Sequence, residues 1–210
     1  MNKMQKKFIN CGLVIMASFY LLGCEYREVG SNSASDVDAT TFATSVHGTT
    51  PEALAWAMSP DGAWVFSMQD DITVEGPLII DGYVPRHDGG RFIDVYARLI
   101  ALFYRSGRYG SPEGRFNLTV TEGIHSYAYR TWLHGVIDEA GNPSHIYGDV
   151  YINHYGFHLR DVIIHGNLTF ATSSIKYWAG ANFWNRETYE MDSVAFEDVV
   201  TGEVRVASAQ

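Results

Sequence analysis

The chain has 210 residues, with 15 Lys and Arg against 24 Asp and Glu and a formal net charge of −9. That balance repels nucleic acid and gains nothing from an anionic membrane surface. The only cysteines are Cys11 and Cys24, so no disulfide framework holds the chain. Stability must come from a hydrophobic core, which a chain of this length can build.

Lys3, Lys6 and Lys7 open the chain without an acidic residue, and an apolar run follows from Phe8 to Leu22. It ends in Leu21-Leu22-Gly23-Cys24. This is the layout of a secretory signal. The end of the run resembles the lipobox of bacterial lipoproteins, which implies that residues 1–23 are a signal peptide and that Cys24 is acylated. The expected location is then the bacterial cell envelope, lipid-anchored on the periplasmic face or the outer surface. The alternative is an uncleaved anchor, but the run is shorter than the roughly 20 residues a spanning helix needs. Removing the signal leaves 12 basic residues against 24 acidic ones.

Residues 24–50, with "SNSASDVDATT" at their centre, lack apolar periodicity and read as a flexible acidic and Ser/Thr-rich tether. Thr50-Pro51-Glu52 then opens a short helix, with Thr as N-cap, Pro in the first turn and Glu suited to the helix dipole. Too short to stand alone, "EALAWAM" is expected to cover one end of a domain spanning 51–210. Ser59-Pro60-Asp61-Gly62 is a turn signal. "AWVFSM", "DITVEG" and "PLIIDG" read as short strands. Within the glycine-rich stretch 82–116, "FIDVYARLIALFYRS" fits either a helix or a buried strand, and a strand near 97–104 is preferred. "RFNLTVTEG" and "YAYRTWLHGVID" continue the β pattern.

Gly148-Asp-Val-Tyr-Ile152 returns as Gly166-Asn-Leu-Thr-Phe170, 18 residues on. Between them the apolar residues fall in pairs two apart: Val150/Ile152, Phe157/Leu159, Val162/Ile164, Leu168/Phe170. Period two means strands, and the slips between pairs mark corners. Three pairs per 18 residues predict an all-β, three-sided parallel β-helix, a solenoid with Val150 stacked on Leu168 and Ile152 on Phe170. Gly202 and Gly76 lead similar blocks, at two and four such intervals. A sandwich of short strands with a chance repeat is the alternative.

The runs "EALAWAMSPDGAWVFSMQDDITVEGPLIIDG", "RFNLTVTEG", "IYGDVYINHYGFHLRDVIIHGNLTFA" and "VVTGEVRV" resemble bacterial parallel β-helix lipoproteins of the polymer-forming, bactofilin-like type. The resemblance implies a right-handed β-helix and a structural or surface role. It carries over no catalytic residues and no cofactor.

Four groups of side chains are candidates for chemistry. His154, His158 and His165 lack metal-ligand spacing and read as scattered surface histidines. Asp149 and Glu203, at one coil position with Asn167, are weak calcium ligands, with a solvated acidic face as the alternative. Tyr177, Trp178 and Trp184 lie where the repeat fails, on a loop suited to sugar faces or a partner protein, or covering the stack. Arg160, Asp161 and Lys176 are the one group that could serve a polysaccharide lyase. The expectation is a non-catalytic structural, adhesive or assembly module, with self-association or an envelope polysaccharide as partner. The alternative is a carbohydrate-active protein, binding or lyase. Aromatics and acids converging in one groove would favour that alternative.

Overall fold

The computed structural model describes residues 27–28, 45–82, 84–88, 91–96, 98–105 and 112–208. The expected signal peptide and Cys24 lie outside them. The described chain is mostly β, with parallel sheets, a few short helices and no closed barrel.

Three sheets carry the fold. The first runs through Arg27–Glu28, Ser45–Gly48, Val65–Met68, Arg98–Ala101, Thr131–His134, Phe157–Arg160 and Gly180–Asn185, and ends in Glu190–Val194. All its neighbours are parallel except the last pair. The second sheet is Ile72–Val74, Leu118–Val120, Ser144–Tyr147 and Val162–His165. The third is Leu78–Ile80, Ile124–Ser126, Val150–Ile152, Leu168–Phe170 and Val204–Val206. From Val65 on, the chain visits the sheets in that order and then returns to the first. Parallel neighbours cannot be joined by a tight hairpin. From Val65–Met68 to Gly180–Asn185, each connection within the first sheet is made of strands in the other two sheets, whereas Ser45–Gly48 and Val65–Met68 are joined through the helix Pro51–Met58.

Burial alternates along these strands, so the inward residues form columns. Phe66, Ile100, Leu133, Leu159 and Ala181 stack from the first sheet. Ile72, Leu118, Ile146, Ile164 and Val200 stack from the second. Leu78, Ile124, Val150, Leu168 and Val204 stack from the third. All but Val204 are buried. Each buried aliphatic or aromatic side chain stabilises by roughly 1.5–3 kcal/mol. The pairings Val150 with Leu168 and Ile152 with Phe170 are those the 18-residue echo predicts.

The spacing of the other echoes is different. Leu78 to Ile124 spans 46 residues, Ile124 to Val150 26, Val150 to Leu168 18, and Leu168 to Val204 36. The block after Gly202 is therefore one pairing step from Gly166, not two, and the block after Gly76 is two steps from Gly148, not four. Insertions at the corners lengthen the other steps. In the stretch 82–116 these include two antiparallel pairs, Val84–Asp88 with Arg91–Tyr96 and Tyr104–Arg105 with Pro112–Glu113. The strand expected near 97–104 is Arg98–Ala101.

The glycines of the echo have a steric cause. Gly148, Gly166 and Gly202 sit one above another at the corner that enters the third sheet. Gly202 N–H donates to the Gly166 carbonyl at 3.0 Å. A Cβ on Gly202 would lie 2.5 Å from that oxygen, and one on Gly166 would lie 2.6 Å from the Gly148 carbonyl carbon. The chain passes too close there for any side chain. Beside this column, the Asn167 amide donates to Asp149 Oδ1 at 3.1 Å, and Glu203 N–H donates to Asn167 Oδ1 at 2.9 Å.

The helix Pro51–Met58 is capped by Thr50, whose Oγ1 accepts from Ala53 N at 3.3 Å. Its residues Ala53, Leu54, Ala57 and Met58 are buried, and the helix packs against Ser45–Gly48, Val65–Met68, Ile72–Val74 and Leu78–Ile80. Parallel pairing begins before position 51, the expected start of the domain, because Ser45–Gly48 lies beside Val65–Met68. Arg98, fully buried, fastens the helix end. Its guanidinium donates to the carbonyls of Ala57, Ser59, Pro60, Ala63 and Asp81 at 2.5–3.4 Å. Burial lowers its pKa to about 10, against the raising effect of Asp81 and Asp61, so it is a cation at neutral pH.

Candidate functional site: an aromatic groove on the first sheet

The outward faces of Thr131–His134 and Phe157–Arg160 alternate with the buried columns. They present Trp132, His134 and His158 side by side. The short helix Ser173–Tyr177 rises next to them. Thr172 caps it by accepting from Ile175 N at 3.2 Å, and Ile175 anchors it in the core. Tyr177 and Trp178 leave its end 79% and 67% exposed, their rings edge to face at 5.3 Å. On the other side the corner residues Tyr129, Arg130 and Tyr155 are exposed. Together these enclose an open groove of about 1040 Å³. Gly156, at φ +83, completes the corner, since a Cβ there would press on Arg130 Cγ at 2.9 Å.

The groove floor is polar. Asn182 Nδ2 donates to Ser193 Oγ at 3.2 Å, and His158 Nε2 donates to Asn182 Oδ1 at 2.6 Å. His134 Nε2 lies 3.2 Å from His158 Nδ1, so the two rings share a hydrogen bond. The His134 ring is stacked on Trp132 at 5.6 Å. Burial, His158 and Arg160 push the His134 pKa down to about 3. His154, at the back of the groove, is buried. Its Nδ1 donates to the Tyr155 carbonyl at 2.9 Å, so Nε2 accepts from Ser126 Oγ, also at 2.9 Å. Burial again lowers its pKa, against that carbonyl. Ser126 is fully buried between Ile80 and Ile152 and bonds Thr131 Oγ1 at 2.6 Å. Ser126 Oγ therefore lies inside the packing, and only His154 of the pair borders the groove.

His134 and His154 set a pH dependence. A folded-state pKa below the unfolded value of about 6.5 means that the unfolded chain binds more protons. Their contribution to stability is present above pH 6.5 and is lost as pH falls towards the folded values. The denaturation midpoint should therefore fall on acidification from pH 7 to pH 4. His134→Gln should flatten that slope, as urea titrations at several pH values will show.

The structure divides the expected site residues. Tyr177 and Trp178 line the groove, whereas Trp184 lies on the hairpin Gly180–Asn185/Glu190–Val194, paired with Met191. The histidines are not scattered on the surface. His154 is buried, His158 bonds His134, and His165 Nε2 lies 2.9 Å from His145 Nδ1. Asp149 and Glu203 do align with Asn167, but the Asp149 carboxylate accepts from Asn167 and the Glu203 side chain faces Arg205 at 3.5 Å. Among the described residues no group of three or more metal-ligating side chains forms. Arg160 and Asp161 pair at 3.3 Å, while Lys176 turns to Glu197 at 3.1 Å, so the lyase trio does not assemble. Asp161 is buried and accepts from Trp184 N at 2.7 Å. Burial raises its pKa against that bond and Arg160.

Sequence reasoning missed Tyr129, Trp132, His134 and Tyr155. The signal was present in "YAYRTWLH", where aromatic and polar residues alternate with buried Ala128, Thr131 and Leu133. No family model matches the chain, and no curated protein or solved structure is similar to it, so the polymer-forming likeness rests on the quoted residues alone.

Proposed function

We propose that this chain is a lipid-anchored envelope protein whose domain is a three-sided, right-handed parallel β-helix, and that it binds a carbohydrate in the aromatic groove without transforming it. The β-helix reading is supported by three parallel sheets visited in a fixed order and in phase. Its hand follows the rule for crossovers between parallel strands.

One observation carries the binding reading. Tyr129, Trp132, Tyr155, Tyr177 and Trp178 converge on one groove whose polar groups are imidazoles, Asn153 and Arg130. Aromatic faces with a few oriented donors and acceptors suit the apolar face and hydroxyl rim of a sugar ring. Glycoside hydrolysis needs two carboxyl groups across the bond, and the lining holds no Asp or Glu. The helix Pro51–Met58 covers the core at one end, and Phe196 and Val199 cover it at the other, which favours contact through the side of the domain over end-to-end stacking.

Screening the protein on immobilised glycans tests this reading. Trp178→Ala should weaken binding by about tenfold, and Trp184→Ala should leave it unchanged. Equal binding by wild type and Trp178→Ala would overturn it. The anchor is tested separately: Cys24→Ser should move the protein from the membrane fraction to the soluble one.

A further inference from the structure

A second groove, of about 450 Å³, lies on the outward face of the third sheet, with His125, Tyr127, Tyr151 and Arg205 in its lining. The two grooves meet at one corner. Ala128 is buried, and its neighbours part around it: Tyr127 lines the second groove and Tyr129 the first. One strand further, buried Ile152 separates Tyr151 in the second groove from Asn153 in the first. Residues two apart have Cα atoms no more than about 7 Å from each other. The Tyr127 and Tyr151 rings are 6.1 Å apart across the strands. Aromatic surface therefore runs from Trp178 through Tyr129 to Tyr127 and Tyr151.

Charge narrows what could lie on this track. On a chain of net charge −9, the first groove carries Arg130 and no carboxylate. Arg130 is exposed at the shared corner, over the Tyr129 ring at 5.3 Å, and makes no ion pair among the described residues. The second groove adds Arg205, which pairs with Glu203 at 3.5 Å and donates to Thr169 Oγ1, so this groove contributes its tyrosine faces and the cation for an acidic group is Arg130. Of the second groove's two carboxylates, Asp149 is engaged by Asn167, and Glu122 is exposed.

We infer that the ligand is an extended acidic polysaccharide that crosses the corner, with one stretch in each groove and a carboxylate at Arg130. This rests on the carbohydrate reading above. A chain that fills both grooves gains from the second at the high effective concentration set by the first. A short oligomer fills only one.

The test is calorimetric titration of galacturonate and mannuronate oligomers of about three and about ten sugars, with cello-oligosaccharides of the same lengths as neutral probes. The long uronates should bind at least about tenfold more tightly than the short ones. Tyr127→Ala/Tyr151→Ala should remove that gain and leave the affinity for short oligomers unchanged, which also shows that the variant is folded. Uronate affinity independent of length, or of the two tyrosines, would overturn the corner track. Binding of neutral oligomers alone would overturn the acidic ligand but keep the groove. Binding of none of these probes or of the immobilised glycans would overturn both readings.

Discussion

Arg98→Met should destabilise the domain by about 3–5 kcal/mol, the largest loss expected from any single side chain. Methionine fills much of the volume but removes the guanidinium donors from the carbonyls of Ala57, Ser59, Pro60, Ala63 and Asp81, of which Ser59 keeps the Gly62 N–H. Those carbonyls lie at the end of the helix and in the turns beside it, so their loss frees the cover of the first strands. Arg98→Lys should fall in between. An ammonium keeps the charge but has three donors, and it lacks the planar fork that reaches several carbonyls at once. Urea unfolding gives the free energies directly. A wild-type midpoint for Arg98→Met would show that the helix end is satisfied without the guanidinium.

Gly166→Ala should cost about 1–3 kcal/mol or more, although alanine is the mildest of changes. The added methyl would meet the backbone at Gly148 and Asp149, which belongs to the neighbouring strand connection and cannot rotate away. Gly180→Ala is the comparison. There the methyl meets only His158 Cδ2, at 3.7 Å, and stability should hardly change. Thermal midpoints of the two variants separate the steric demand of the corner from the general effect of replacing a glycine. Equal midpoints would mean that the glycine column is not needed for close approach.

The fold was most legible where the spacing was shortest. Val150 and Ile152 find Leu168 and Phe170 because nothing is inserted between them, so period two and the glycine both survive in the sequence. Elsewhere the same pairing is hidden. Ile124 lies 46 residues beyond Leu78, and Ser126 occupies an inward position that hydrophobic patterning assigns to an apolar residue. Its hydroxyl is buried because Thr131 and His154 satisfy it, and both partners come from outside its strand. Arg98 is similar. A charged residue inside "YARLIALF" gives no sign of five carbonyls waiting for it across the fold. The groove was half legible. Tyr177 and Trp178 stood out as a cluster, but their partners Trp132 and His134 are brought to them by strand pairing, which local sequence does not encode.

The segment from Thr172 to Ala179 has a consequence for how such a protein can change. It supplies Tyr177 and Trp178 to the groove, yet it lies between Phe170 and Gly180 and takes no part in the strand pairing on either side. One part of the groove is thus supplied by a stretch that strand pairing does not use, while Trp132, His134 and His158 come from the paired strands themselves. If the groove binds carbohydrate as proposed, grafting a different loop there, with Ile175 kept as its anchor, should change the ligand preference and leave the strand pairing intact. The corners that blur the repeat are where this protein is free to diversify.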